Sequence, residues 1–208
     1  MKIGVIAEDK SDVAVVSALT LALLSPHQIG FKGFVGDGCG KLRRKCAAWA
    51  NVLVREGFRW IIVVHDLDEN REDELRTLLT VAVESARPGA YVVLLPKREM
   101  EAWLLYDAAA IASAFRETRQ PKLPADPESL KDAKKTLSDL VQKTYRKTYL
   151  NTIHNQIIAK HMDVGSLRAC KSFSPHRPFV ASVRRMIEER GTPASRSRTS
   201  TRRGGRRK

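Results

Sequence analysis

An apolar run, Trp60-Ile61-Ile62-Val63-Val64, leads straight into His65-Asp66-Leu67-Asp68. Two carboxylates leaving a strand two residues apart can hold Mg²⁺, which takes hard oxygen ligands and keeps waters for a substrate phosphate. A second apolar run, Ile3 to Ala7, ends in Glu8-Asp9-Lys10, and a third ends in Lys97-Arg98-Glu99-Met100-Glu101. Glu8 is placed to share the ion or to act as general base. Glu99 and Glu101 are placed to complete a second metal position, and paired metals stabilise both the attacking and the leaving oxygen of a phosphodiester. One acidic pair on its own reads as a helix cap. Three acidic strand ends in one sheet call for a chemical explanation.

Those side chains meet only if their strands run the same way. Over the first hundred residues strand-like and helix-like patterns alternate. Lys2 to Ala7 reads as a buried strand. Ser11 to Leu24 reads as a helix with Val13, Val16, Leu19 or Thr20 and Leu23 on one face, capped by Ser11 or Asp9. Ile29 to Val35 is a second strand, its end offering Asp37. A glycine-rich turn over Gly36 to Gly40 and a helix from Lys41 to about Glu56 follow. The strand Trp60 to Val64, a charged helix from Arg71 to Ala86 and a strand from Ala90 to Leu95 complete the series. This order predicts an α/β fold: a mostly parallel four-stranded sheet flanked by helices, with function at the carboxyl ends of the strands.

After Trp103 the pattern turns helical, with helices expected at Asp107 to Arg116, Pro127 to Lys143, Thr152 to His161 and Pro178 to Glu189. In the last, Phe179, Val183 and Ile187 share one side. The expected organisation is a core over 1–107, a helical extension packed on it over 108–190, and a low-complexity basic tail over 191–208.

The 208 residues carry 37 Lys+Arg against 23 Asp+Glu, a formal net charge of +14. From Arg190 to Lys208 there are 8 basic residues and no acidic ones, so the first 189 residues hold only +6 of that charge. Such a balance points to an anionic partner, nucleic acid first. The three cysteines, Cys39, Cys46 and Cys170, form no C-x-x-C pair and leave an odd count, which suggests neither a zinc site nor a disulfide framework and fits a reducing cytoplasm. No apolar stretch approaches the roughly 20 residues of a membrane helix, so no membrane partner is expected.

Glu8 at the first strand, followed by an apolar strand and Asp66-x-Asp68, resembles the Toprim domain of type II topoisomerases, primase-type enzymes and overcoming-lysogenisation-defect nucleases. More specifically, Arg98-Glu99-Met100-Glu101-Ala102-Trp103-Leu104-Leu105-Tyr106-Asp107 resembles the R-E-x-E-A-W-L-L-x-D signature of a Toprim-like family of unknown function. The Pro127-Glu128 helix with Lys134-Lys135, Tyr149 and Ser172-Phe173 are similar to the same family, and the likeness covers roughly residues 1 to 189. Two departures stand out: Glu8-Asp9 replaces a usual Glu-Gly, and the tail has no counterpart.

The resemblance implies a Toprim-like core and a Mg²⁺- or Mn²⁺-dependent phosphodiester reaction. It implies Glu8, Asp66, Asp68 and Glu101 as catalytic residues, and the same four with Glu99 as metal ligands. Lys10, Arg98 and Lys134 are expected to meet nucleic-acid phosphates, joined by Arg202, Arg203, Arg206 and Arg207 of the tail. The family also implies an ATPase partner, ABC-type or AAA, in bacterial phage defence, with an oligomer allowed. The alternative is a non-catalytic nucleic-acid-binding or complex-forming subunit that keeps the fold.

Other readings rank lower. Gly36 to Lys41 fails both phosphate-loop spacings, and Leu42 stands where a hydroxyl would meet Mg²⁺. A receiver domain would use Glu8-Asp9, Asp66 and Lys97, but it needs a fifth strand and leaves Asp68 and the glutamates unused. A haloacid-dehalogenase motif would sit on the first strand, not the third. Among the histidines, His27, His65, His154, His161 and His176, none shows metal-ligand spacing. His65, beside Asp66, could tune the site.

Overall fold

The computed structural model describes residues 1–36 and 38–191. Four strands, β1 (Lys2–Ala7), β2 (Gly30–Val35), β3 (Trp60–Val64) and β4 (Ala90–Leu94), form one sheet in the order β2-β1-β3-β4. Every pairing is parallel. The fold is therefore α/β, with an all-parallel sheet flanked by helices and a helical C-terminal region, an architecture consistent with a Toprim-like fold.

Strand sequence explains the two-sided burial. Ile3, Val5, Ala7, Trp60, Ile62 and Val64 face one apolar cluster, while Ile6, Ile61 and Val63 face another. Strands covered on both faces read as continuous apolar runs rather than as alternation. Helices α2 (Cys39–Arg55) and α3 (Glu72–Glu84) cover the second face. There Gly4 is required, because a Cβ on it would lie 2.7 Å from Leu53 Cδ1.

The first face is covered by α1 (Lys10–Leu24), α4 (Glu101–Leu104), α5 (Ala108–Ala114), α6 (Ala133–Tyr145), α7 (Asn151–His161) and α8 (His176–Gly191). Residues 108–191 thus share the main apolar core with β1, β3 and α1. Helix α1 is rotated slightly from its expected face: Val15, Val16, Leu19, Thr20 and Leu24 are buried, while Val13 and Leu23 are partly covered. The helix expected from Pro127 is in fact two pieces. Pro127–Ser129 makes a single 3-10 turn, and α6 starts only at Ala133, with the Asp132 side chain capping Lys135 N at 2.6 Å. Proline supplies the turn's fixed φ but no N–H, and Asp132 is the better N-cap.

The decapeptide is a set of clamps between the sheet and the helical region. Fully buried Trp103 donates from Nε1 to Ser172 Oγ at 2.8 Å and packs edge-on against Phe173. Glu128 accepts from the backbone N–H groups of Lys171 (2.7 Å) and Ser172 (2.9 Å), which fixes the segment that receives Trp103. Asp107 caps α5 at Ala110 N (2.9 Å) and also accepts from Asp163 N (2.9 Å). Among the described residues no helix is long and apolar enough to cross a membrane.

Buried His176 closes the other end of this core, with Nε2 2.9 Å from Thr20 Oγ1. Burial pulls its imidazole down to about 3 from an ordinary 6.5. The unfolded chain then binds the extra proton between those values, so the contribution of His176 is complete above about pH 6.5 and is lost as pH falls towards 3. Thermal melts from pH 7 to pH 4 should show the melting temperature of His176→Gln falling less steeply than that of the wild type; parallel curves would contradict this.

Candidate active site

The chain leaves β1 to one side for β2 and returns to the other side for β3. In an open parallel sheet this switch point leaves a crevice at the carboxyl ends of the two central strands. Ile6 of β1 lies beside Val63 of β3, so the residues just beyond each strand come together. There Asp66 N donates to Glu8 Oε1 at 3.0 Å.

Each further acid has its own positioning device. Asp9 is the N-cap of α1 in a reciprocal box with Asp12: Asp12 N donates to Asp9 Oδ1 (3.0 Å) and Asp9 N to Asp12 Oδ2 (3.2 Å). The acid that departs from Glu-Gly therefore has a structural task, and it turns Asp12 inward. Asp68 is exposed on a turn at φ 47, held where Leu67 N donates to Pro96 O at 2.8 Å. Aspartate tolerates this left-handed backbone better than most residues.

Glu101 opens α4 and is buried, its Oε1 accepting from Asn155 Nδ2 (3.1 Å) with the Tyr149 hydroxyl 3.0 Å away. Asn155 Nδ2 also donates to Ser11 Oγ at 2.9 Å, joining α1, α4 and α7 in one polar network. Tyr149 thus belongs to the site by contact, and burial raises its phenol.

The electrostatics record the crowding. Burial, then the charges of Asp12, Glu8, Glu101 and Asp68, hold the Asp66 carboxyl well above the carboxylate range. Asp66 is only partly buried as a residue, yet its Oδ1 is shielded from solvent and has no hydrogen-bond partner among the described residues. Burial, then Asp9, Glu101 and Glu8, push Asp12 up to about 8. Asp68 is raised by burial and Glu8, against the pull of His65, Arg98 and Arg43. Such shifts gather at functional sites.

The structure thus brings Glu8, Asp66, Asp68 and Glu101 into one electrostatic group and adds Asp12, which the sequence reading missed. The only signal for Asp12 was its place three residues after the cap Asp9. Glu99 stands at the margin: its Oε2 accepts from Lys134 N at 2.7 Å, so it also caps α6. Arg98 is paired with Glu69. Lys134 lines a cleft of ≈ 450 Å³ with Glu99, Asp132, Lys135 and Tyr149. Lys10 is exposed at the start of α1. Arg202, Arg203, Arg206, Arg207 and Asp37 lie outside the described residues.

The donor set is all oxygen and includes one orphaned buried carboxylate oxygen, which suits a hard cation such as Mg²⁺. Among the described residues, though, no three His, Cys, Asp or Glu side chains form a ready-made metal cage.

Fold and site together define an α/β protein with an acidic centre at the switch point of a parallel sheet. The chain belongs to the DUF4276 family, a domain of unknown function, whose model matches residues 9–176. No curated protein and no solved structure matches the chain.

Because the Asp12 carboxyl is raised from 3.8 to about 8, the folded chain holds a proton that the unfolded chain has released. Its stabilising share is present at low pH and lost as pH rises through about 8. Asp12→Asn keeps an acceptor for Asp9 N and removes the charge. In metal-free buffer at pH 9 it should be the more stable protein, by on the order of a few kcal/mol, as read from urea unfolding; equal stability at pH 6 and pH 9 in both proteins would refute this.

Proposed function

We propose that this protein is a Mg²⁺-dependent nuclease of the Toprim type, hydrolysing phosphodiester bonds of nucleic acid. The observation that carries the reading is the shielded Asp66 Oδ1, which has no hydrogen-bond partner among the described residues and lies among four other carboxylates at the sheet's switch point. Asp66, Asp68 and Glu101 would hold Mg²⁺, with Mn²⁺ as substitute and Glu8 and Glu99 as further ligands. Bound, the ion supplies positive charge that offsets the clustered acids and the approaching phosphate.

The chain's own residues supply the rest. Glu8 Oε1 is engaged by Asp66 N, and Oε2 receives no donor from the described residues, so Oε2 is the oxygen to take a proton from an attacking water. Asp12, whose carboxyl is pushed up to about 8, repels Asp66 when ionised and would lessen that repulsion when it holds a proton. The Arg98–Glu69 pair is a surface ion pair and is readily exchanged for a phosphate. Lys10 and Lys134 add positive charge at the starts of α1 and α6, and the cleft beside Glu99 and Tyr149 gives a strand a way in. The likeness to Toprim-like proteins supports a cytoplasmic role in phage defence beside an ABC-type or AAA ATPase.

A second reading, a nucleic-acid-binding or complex-forming subunit without catalysis, is favoured by the +14 charge. Cleavage assays separate the two. With Mg²⁺ or Mn²⁺ the purified chain should cut DNA or RNA, and Asp66→Ala with Asp68→Ala should lower the rate at least 100-fold while nucleic-acid binding persists. Equal cleavage by the double variant would sink the nuclease assignment, and binding without cleavage by the wild type would favour the second reading.

A further inference from the structure

We propose that Arg43 and His65 form a relay of positioning residues, running from α2 through the imidazole to Glu8 Oε1. This inference rests on the nuclease reading for its catalytic consequence but not for its geometry. His65 immediately follows β3 and is fully buried, while Arg43 reaches it from the first turns of α2. Nδ1 of the ring faces two acceptors, the Asp66 carbonyl at 2.6 Å and Glu8 Oε1 at 2.9 Å. Nε2 faces Arg43 Nε at 3.1 Å, which can only donate. One arrangement satisfies all three contacts: hydrogen on Nδ1 and a bare Nε2. Arginine thus selects the tautomer, much as the outer hydrogen bond of an active-site histidine usually does.

The consequence falls on Glu8. Its Oε1 takes two N–H groups, from His65 Nδ1 and from the Asp66 backbone, and these lock the carboxylate plane. Oε2 is left as the oxygen for proton transfer or metal, and its direction is set before any ligand arrives. Arg43 also brings a positive charge towards the acids, as its downward pull on the Asp68 carboxyl shows. It also lines a small cleft of ≈ 140 Å³ with Asn70, Arg71 and Glu74, and its contact with His65 links a helix on the second face of the sheet to the site. Neither residue needs to touch substrate for this role, and partners of that kind typically alter activity about 10- to 100-fold.

The direct test is ¹⁵N-histidine NMR on the full-length, metal-free protein, followed by steady-state cleavage with Mg²⁺. His65 should carry its proton on Nδ1, and Arg43→Leu should release it into a tautomer mixture. In cleavage, Arg43→Leu and His65→Leu should each lower kcat about 10- to 100-fold with KM unchanged. His65→Asn, whose amide can donate to Glu8 from the place of Nδ1, should recover most of the loss. Arg43 is partly exposed, so its variant keeps the test available if His65→Leu fails to fold. An Nε2-protonated His65 in the wild type, or wild-type kcat in Arg43→Leu, would overturn the relay. A wild type that cuts neither DNA nor RNA would overturn the nuclease reading instead, and the tautomer would then decide the relay by itself.

Discussion

Carboxylates repel one another most where water is scarce, and the carboxyl end of a buried parallel sheet is such a place. Glu8, Asp12, Asp66 and Glu101 share that place here with Asp68 exposed at its rim, and much of the surrounding structure answers their mutual repulsion. The raised carboxyls of Asp12, Asp66 and Asp68 mean that protons relieve part of it. Arg43 and Arg98 relieve another part from the rim of the cluster. Asn155 and Tyr149 serve Glu101 with dipoles in place of charge. A divalent cation would answer the whole group at once, and Asp66 Oδ1 is the carboxylate oxygen of the cluster that is shielded and has no hydrogen-bond partner among the described residues.

The same constraint explains why the helical region is integral to the protein. Glu101 is positioned by residues of α7, and Glu99 ends on the first turn of α6. Trp103 reaches Ser172, which Glu128 holds from behind. Sheet and helices are therefore joined through the very segment that carries the last two acids, and residues of α7 and α8 are part of the core on the first face of the sheet. A basic protein surrounds an acidic centre: on the proposed reading the net charge would favour approach of nucleic acid over long range, and the local charge would call for a cation before contact.

The sheet was legible because parallel strands covered on both faces are unbroken apolar runs; β1 and β3 fall where Lys2–Ala7 and Trp60–Val64 were read. Legible with them were Glu8, Asp66 and Asp68, whose meeting follows from strand direction alone. Asp12 was hidden because a capping box turns it inward, a matter of helix phase by one residue that hydrophobic periodicity did not resolve. Arg43 and Asn155 were hidden because their contacts join α2 to the residue after β3 and α7 to α4 across 22 and 54 residues of sequence. The start of α6 was misread because Pro127-Glu128 looks like a helix opening, whereas Glu128 is committed to Lys171 and Ser172.

The central claim is that the acidic cluster holds a divalent cation through Asp66. Titration calorimetry with Mn²⁺ at pH 8, comparing the wild type with Asp66→Asn, tests it without requiring any substrate. Saturable binding by the wild type, weakened at least tenfold by the one-atom change at Asp66, is the predicted result. No binding, or the same binding in both proteins, would contradict the account.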